Sequence, residues 1–127
     1  MNPADLKYHK EHSWVKVDGT KATIGITQYA QEALGDIVYI DLPEADSQVE
    51  ADGEIGEIES TKATSSVVSP VSGTVVKVNA ALDDAPETIN EEPYGKGWIL
   101  VVEMSNPSEL SGLMDAAEYA KLVEESK

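Results

Sequence analysis

Gly56-Glu57-Ile58-Glu59-Ser60-Thr61-Lys62-Ala63-Thr64-Ser65-Ser66-Val67-Val68-Ser69-Pro70-Val71-Ser72-Gly73 sets short apolar runs on both sides of a polar centre. With Ile55 and Ile58 before that centre and Val67, Val68 and Val71 after it, the stretch reads as two strands joined by a tight turn, with Lys62 at the tip. A two-residue loop at Thr61-Lys62 pairs Ile55 with Val68 and sets Ile58 opposite Ser65. The base of the hairpin is then buried, while Glu59, Ser60, Thr61, Thr64 and Ser65 crowd a solvated end. No Asn-Gly or Asp-Gly marks the bend, which leaves the turn type open. By composition alone, a single lysine at such a place is an ordinary solvated charge.

Working outward, residues 14–26 read as two strands around a turn at Asp18-Gly19-Thr20. Residues 27–34 carry good helix formers, with Thr27 placed to cap the start and Gly35 to close the end. Asp36-Ile37-Val38-Tyr39-Ile40-Asp41-Leu42 predicts a largely buried strand that stops at Pro43. An internal echo follows: Gly53, Ile55 and Ile58 align with Gly73, Val75 and Val78 twenty residues on, as two similar units flanking the lysine hairpin. Residues 83–93 read as a polar, proline-punctuated loop, and residues 98–104 as the most continuous apolar strand. Gly95-Lys96-Gly97 is a turn ahead of it. Asn106-Pro107-Ser108-Glu109 predicts a helix start capped by Asn106, and Asp115 to Glu118 has capping-box spacing for a C-terminal helix over residues 116–125 with Tyr119, Leu122 and Val123 inward. The sum is a mainly β fold with short helices attached.

At 127 residues the chain predicts one domain, 1–127, with a core that needs no staples. The absence of cysteine fits a reducing compartment. Met1-Asn2-Pro3-Ala4-Asp5 is acidic and starts no apolar run, so neither a signal peptide nor a transit peptide is expected, and no apolar segment is long enough to span a bilayer. A cytoplasmic protein follows. Twenty-four acidic residues against nine lysines give a net charge of −15. Phosphate backbones need clustered cations, so nucleic acid and anionic membrane surfaces are both disfavoured. The same charge predicts a monomer that is steered to basic docking surfaces on its partners. His9 and His12 stand three apart but lack a third metal ligand in the pattern, which favours a surface or packing role. There is no Gly-rich phosphate loop or cysteine nucleophile, and pairs such as Glu57 with Glu59 or Glu91 with Glu92 are solvated charges in so acidic a chain.

Glu59-Ser60-Thr61-Lys62-Ala63, followed by Ser69-Pro70-Val71-Ser72-Gly73 and Val75 to Asn79, resembles the lipoyl-attachment segment of the glycine cleavage system H proteins. Gly25 to Asp36, Asp41-Leu42-Pro43-Glu44, Asn90 to Trp98 and Leu113 to Tyr119 resemble the same family in the same order, so nearly the whole chain is covered. The resemblance implies a barrel-sandwich hybrid of the lipoyl/biotinyl type, with short flanking helices and a C-terminal helix. It implies a carrier without catalysis of its own, in which lipoate is joined covalently to Lys62. Glu59 and Gly73 are then the flanking positions favoured by the lipoyl or octanoyl transferase or ligase that attaches the group. Their bland roles are a strand-end charge for Glu59 and a turn residue of positive φ for Gly73, and the second is preferred. The arm would take an aminomethyl group from a pyridoxal-phosphate glycine decarboxylase to a tetrahydrofolate-dependent aminomethyltransferase, and a dihydrolipoamide dehydrogenase would reoxidise it.

Three positions depart from the family's pattern. Ser13 and Ser66 stand where carboxylates are common, so any hold on a loaded arm is expected to pass to a neighbour such as Glu11. Thr61 stands where a small aliphatic residue is usual, and its β-branched side chain suits the turn. Two further readings of the lysine hairpin are a 2-oxoacid dehydrogenase lipoyl domain, for which the flanking elements are too extensive, and a biotinyl carrier, for which Thr61 and Ala63 replace the expected methionines. A lipoyl relay that donates the group to other enzymes is a third, and no residue separates it from the main reading.

Overall fold

The computed structural model describes residues 5–126, which leaves the first four residues of the acidic start and the final Lys127 outside it. In order along the chain come β1 (Lys7–Tyr8), β2 (Ser13–Asp18), β3 (Lys21–Ile26), α1 (Gln28–Leu34), β4 (Ile37–Asp41), β5 (Gln48–Val49), β6 (Glu54–Ser60), β7 (Thr64–Val68) and β8 (Gly73–Val78). There follow α2 (Ala81–Asp84), α3 (Thr88–Glu91), β9 (Leu100–Met104), a 3-10 helix over Pro107–Gly112 and α4 (Ala116–Ser126).

The strands form two antiparallel sheets, one of six strands in the order β1-β2-β3-β9-β8-β5 and one of three in the order β4-β6-β7. One apolar cluster draws on both: Ile24, Leu100, Val102 and Val75 from the larger sheet meet Ile40, Ile58 and Val67 from the smaller. Each such fully buried aliphatic side chain stabilises the fold by roughly 1.5–3 kcal/mol. A second cluster of Leu6, Tyr8, Trp14 and Tyr119 fastens α4 to β1 and β2. The echoed units fall on β6 and β8, one in each sheet, with Ile55 and Val75 both in the core.

Three strands carry inward residues at a spacing of three: Ile37 and Ile40, Ile55 and Ile58, Val75 and Val78. A regular strand repeats every two residues and would send one member of each pair outward. In all three the ladder shifts register between or beside them, at Ile37/Tyr39, Glu54/Gly56 and Val75/Lys77, so that both residues point inward. This corrects the expected pairing of Ile55 with Val68: Glu54 takes that place, whereas Ile58 faces Ser65 as expected. It also corrects the reading of β4 as largely buried. Only Ile37 and Ile40 are buried there, and Val38 and Tyr39 are 54% and 53% exposed.

Residues 83–93, expected as loop, take in the end of α2 and the whole of α3, short helices pinned by the buried Leu82 and Ile89 on either side of Pro86. The strand expected from Trp98 begins at Leu100. At Pro107 the helix is of 3-10 type, and Asn106 makes no side-chain cap; its Oδ1 accepts from Ser108 Oγ instead. The other helix ends match expectation. Thr27 Oγ1 accepts from the Ala30 N–H, and Asp115 and Glu118 close a reciprocal capping box.

Candidate carrier site at the Lys62 hairpin

The β6–β7 ladder runs through Glu59↔Thr64 and closes with the Ser60 N–H donating to the Ala63 carbonyl. Thr61 and Lys62 are therefore the two loop residues, and Lys62 is exposed. With no Asn-Gly or Asp-Gly to shape the bend, a side chain does so. Ser60 Oγ accepts from the N–H groups of Lys62 and Ala63 at 3.2 and 3.1 Å and donates to the Ala63 carbonyl at 3.1 Å. The sequence reading missed this role, although a serine two residues before the lysine was its signal.

The tip is held from the side as well. The Thr61 N–H donates to the Asp36 carbonyl at 3.0 Å, which ties the loop to the chain just beyond α1. Gly35 closes that helix at φ 82°, ψ −153°, a region open essentially to glycine alone. The aliphatic stem of Lys62 lies against it, so that a Cβ at residue 35 would stand 3.3 Å from Lys62 Cε.

A cleft of about 160 Å³ opens beside the hairpin. Its walls are α1, through Ala30, Ala33 and Leu34, and β7, through Ser65, Ser66 and Val67; its far side is the end of the β1–β2 loop, with Glu11 and His12, and Ser13 at the start of β2. Since Leu34 precedes Gly35, the Lys62 stem and the cleft share the end of one helix. Ser13 Oγ is fully buried at this cleft and has no hydrogen-bond partner, a state that costs roughly 1–3 kcal/mol and is expected where a ligand completes the site. Larger depressions of about 480 and 550 Å³ lie near Asp52, and no residue of the hairpin tip lines either.

A hydrogen-bonded chain starts from His12, which lines the cleft. Tyr119 Oη sits 2.8 Å from His12 Nδ1 and 2.6 Å from Thr27 Oγ1, linking α4, the β1–β2 loop and the cap of α1. Burial pushes the Tyr119 hydroxyl up to about 12, so it keeps its proton at neutral pH and can donate to His12. Burial also holds His12 below the usual histidine range, against the opposing pull of the Glu11 carboxylate. His9 turns elsewhere, to Asp52. Among the described residues no three His, Asp or Glu side chains gather as metal ligands would.

Of the other expected site residues, Glu59 is an exposed carboxylate one pair from the bend, facing Thr64 on one side and Tyr39 on the other. Gly73 is not in that neighbourhood. It opens β8 in the large sheet, opposite Val49 and Met104, and does not have positive φ. Glycine is required there by close approach instead: a Cβ would lie 2.0 Å from the Glu103 carbonyl oxygen.

A two-sheet sandwich that pins the base of a hairpin and leaves one lysine standing at its bend defines the class of lipoyl-type carrier domains. The Glycine cleavage H-protein family model matches residues 6–126, and the chain belongs to that family. It is 52% identical to the glycine cleavage system H protein of Myxococcus xanthus (strain DK1622) over 98% of this chain and 96% of that one, and 51% identical to that of Bacillus subtilis (strain 168) over 97% of each. A crystal structure of a glycine cleavage system H protein from Mycobacterium marinum superposes with a TM-score of 0.86, at 40% identity, covering 94% of this chain and 96% of that chain.

Proposed function

We propose that Lys62 is the residue that carries the lipoyl group, and that residues 1–127 work as one carrier unit around it. The observation that carries this is the position of Lys62: exposed at a bend pinned on both sides, with its stem laid along Gly35 at the end of the helix that walls the cleft. As a glycine cleavage H protein the chain is a lipoyl carrier and not an enzyme. Attached at Lys62, the group would supply the dithiolane chemistry through which the family serves glycine decarboxylase, the aminomethyltransferase and dihydrolipoamide dehydrogenase.

What the chain itself contributes is anchoring, presentation and shelter. An amide at Lys62 removes one positive charge, since an acylated nitrogen no longer binds a proton as an amine does. Tethering then raises the local concentration of the arm's reactive end wherever the domain docks. Glu11, Ser13 and Ser66 are among the polar groups that the cleft offers to that end. Glu11 supplies the carboxylate that favours a cationic amine there, and the unpartnered Ser13 hydroxyl gains a partner. Glu59 is proposed as a contact for the attaching transferase or ligase, being the carboxylate nearest the bend along β6. Gly73 serves recognition only through the fold, by letting β8 approach β9. Among the described residues no helix is long and apolar enough to cross a membrane, and cytoplasmic operation is proposed.

Intact mass with peptide mapping of protein lipoylated in cells tests the assignment. One lipoyl group on the Lys62 peptide, absent from Lys62→Arg, is the expected result; a biotin-sized increment, or lipoyl on another lysine, overturns it. Hydrolytic loss of aminomethyl from the loaded arm is expected to speed up in Glu11→Ala, and an unchanged rate would remove Glu11 from the cleft's function.

A further inference from the structure

The pair His9 and Asp52 has no part in the site described so far, yet it stands behind the loop that carries Glu11, His12 and Ser13. His9 is 5% exposed, in contrast to the carboxylate it meets, which is 75% exposed. Its Nδ1 accepts the Glu11 backbone N–H at 3.0 Å, so that nitrogen bears no proton. The ring proton therefore sits on Nε2, 2.5 Å from Asp52 Oδ1, and is donated to it. The His9 backbone closes the same loop: its N–H donates to the Ser13 carbonyl, and its carbonyl accepts from the His12 N–H, both at 2.9 Å. Asp52 is fixed in turn. It adopts φ 69° in the turn before β6, and its N–H donates to the buried Ser69 carbonyl at 2.8 Å. The imidazole thus joins a backbone amide at the cleft to a carboxylate on a turn anchored in the core. A carboxylate on one ring nitrogen strengthens the other as an acceptor, so the two bonds support each other.

We propose that His9 and Asp52 form a positioning pair that holds Glu11 at the mouth of the cleft and thereby sets how well the cleft shelters the end of the arm. The proposal rests on the reading of Glu11 and the cleft given above. Neither residue touches the arm: Asp52 fixes the ring, the ring fixes the Glu11 amide, and Glu11 faces the cleft.

The first measurement needs no prosthetic group. In the unmodified protein, nitrogen chemical shifts of His9 are expected to show the Nε2–H tautomer. Asp52→Gly removes the carboxylate without straining the turn, since glycine accepts positive φ. In that variant, exchange of the Glu11 amide is expected to rise about tenfold, the loss of roughly one hydrogen bond, with the hairpin amides unchanged. Asp52→Asn keeps an acceptor and tolerates the same φ, and is expected to restore most of the protection.

The second measurement is aminomethyl loss from loaded, lipoylated protein. Asp52→Gly is expected to speed it in the wild-type background and to add nothing to Glu11→Ala. A Glu11 amide indifferent to Asp52→Gly overturns the proposal, as does an effect of Asp52→Gly that adds in full to that of Glu11→Ala. A clear effect of Glu11→Ala with none from Asp52→Gly overturns this proposal alone. An inert Glu11→Ala overturns the reading of the cleft on which it stands.

Discussion

The stem of Lys62 lies along Gly35, with Cε, Cδ and Cγ at 3.3, 3.4 and 3.7 Å from where a Cβ of residue 35 would stand. One residue thus ends a helix and supports the side chain proposed to carry the prosthetic group. Gly35→Ala meets both demands at once. It is expected to destabilise the protein by about 1–3 kcal/mol in urea titration, because alanine is strained at this φ and ψ, and to slow lipoylation of Lys62. Unaltered stability would show that the helix end relaxes without cost.

Ser60 gives the bend its shape through three hydrogen bonds of one hydroxyl. Ser60→Ala leaves two N–H groups to water at an exposed tip, so the expected loss of stability is small, about 0.5–1.5 kcal/mol. The rate of lipoylation by purified ligase is expected to fall further than stability does, because the ligase meets a looser loop. Equal rates for both proteins would mean that the enzyme imposes the turn itself.

Tyr119→Phe removes the oxygen that joins His12 to Thr27 and keeps the ring stacked on Tyr8 at 4.8 Å. The buried Thr27 and the half-buried His12 each lose a bond, and a loss of about 1–3 kcal/mol is expected in denaturant titration. Thermal melting of the isolated variant checks it; a melting point equal to wild type would show the hydroxyl to be idle.

His12 titrates lower in the fold than in the unfolded chain. Below the ordinary histidine value of about 6.5, the unfolded chain therefore binds the proton first. The stability that neutral His12 brings is complete above that pH and is lost as pH falls through the lower folded value. His12→Asn, which tolerates φ 71°, is expected to flatten this part of the stability–pH curve. A curve of unchanged slope would place the titration on another group.

The sequence disclosed the hairpin because short apolar runs flank a polar centre there, and it disclosed α1 and α4 because Thr27, Gly35 and the Asp115–Glu118 box are local signals. The register shifts were written in it too. Ile37 with Ile40, Ile55 with Ile58 and Val75 with Val78 stand at an odd spacing that a regular strand cannot bury, but three-apart pairs also fit a helix, and only pairing partners decide. The helices at residues 81–91 escaped because two isolated anchors, Leu82 and Ile89, make no visible period around Pro86. The place of Lys62 at the bend was legible in its pattern and the cleft was not, since its walls come from α1 and β7, more than thirty residues apart, and its far side from residues 11–13. Gly73 was misjudged for a related reason: its need for glycine comes from β9, a neighbour in space and not in sequence.

The bond from the Thr61 N–H to the Asp36 carbonyl has one more consequence. A crane with a stiff mast sweeps only what its cable allows, and here the mast is bolted to the body at a second point. An enzyme served by the arm proposed for Lys62 must bring its reactive centre within reach of that anchored point, so surfaces that grip this protein firmly at the wrong depth would bind it without ever being served.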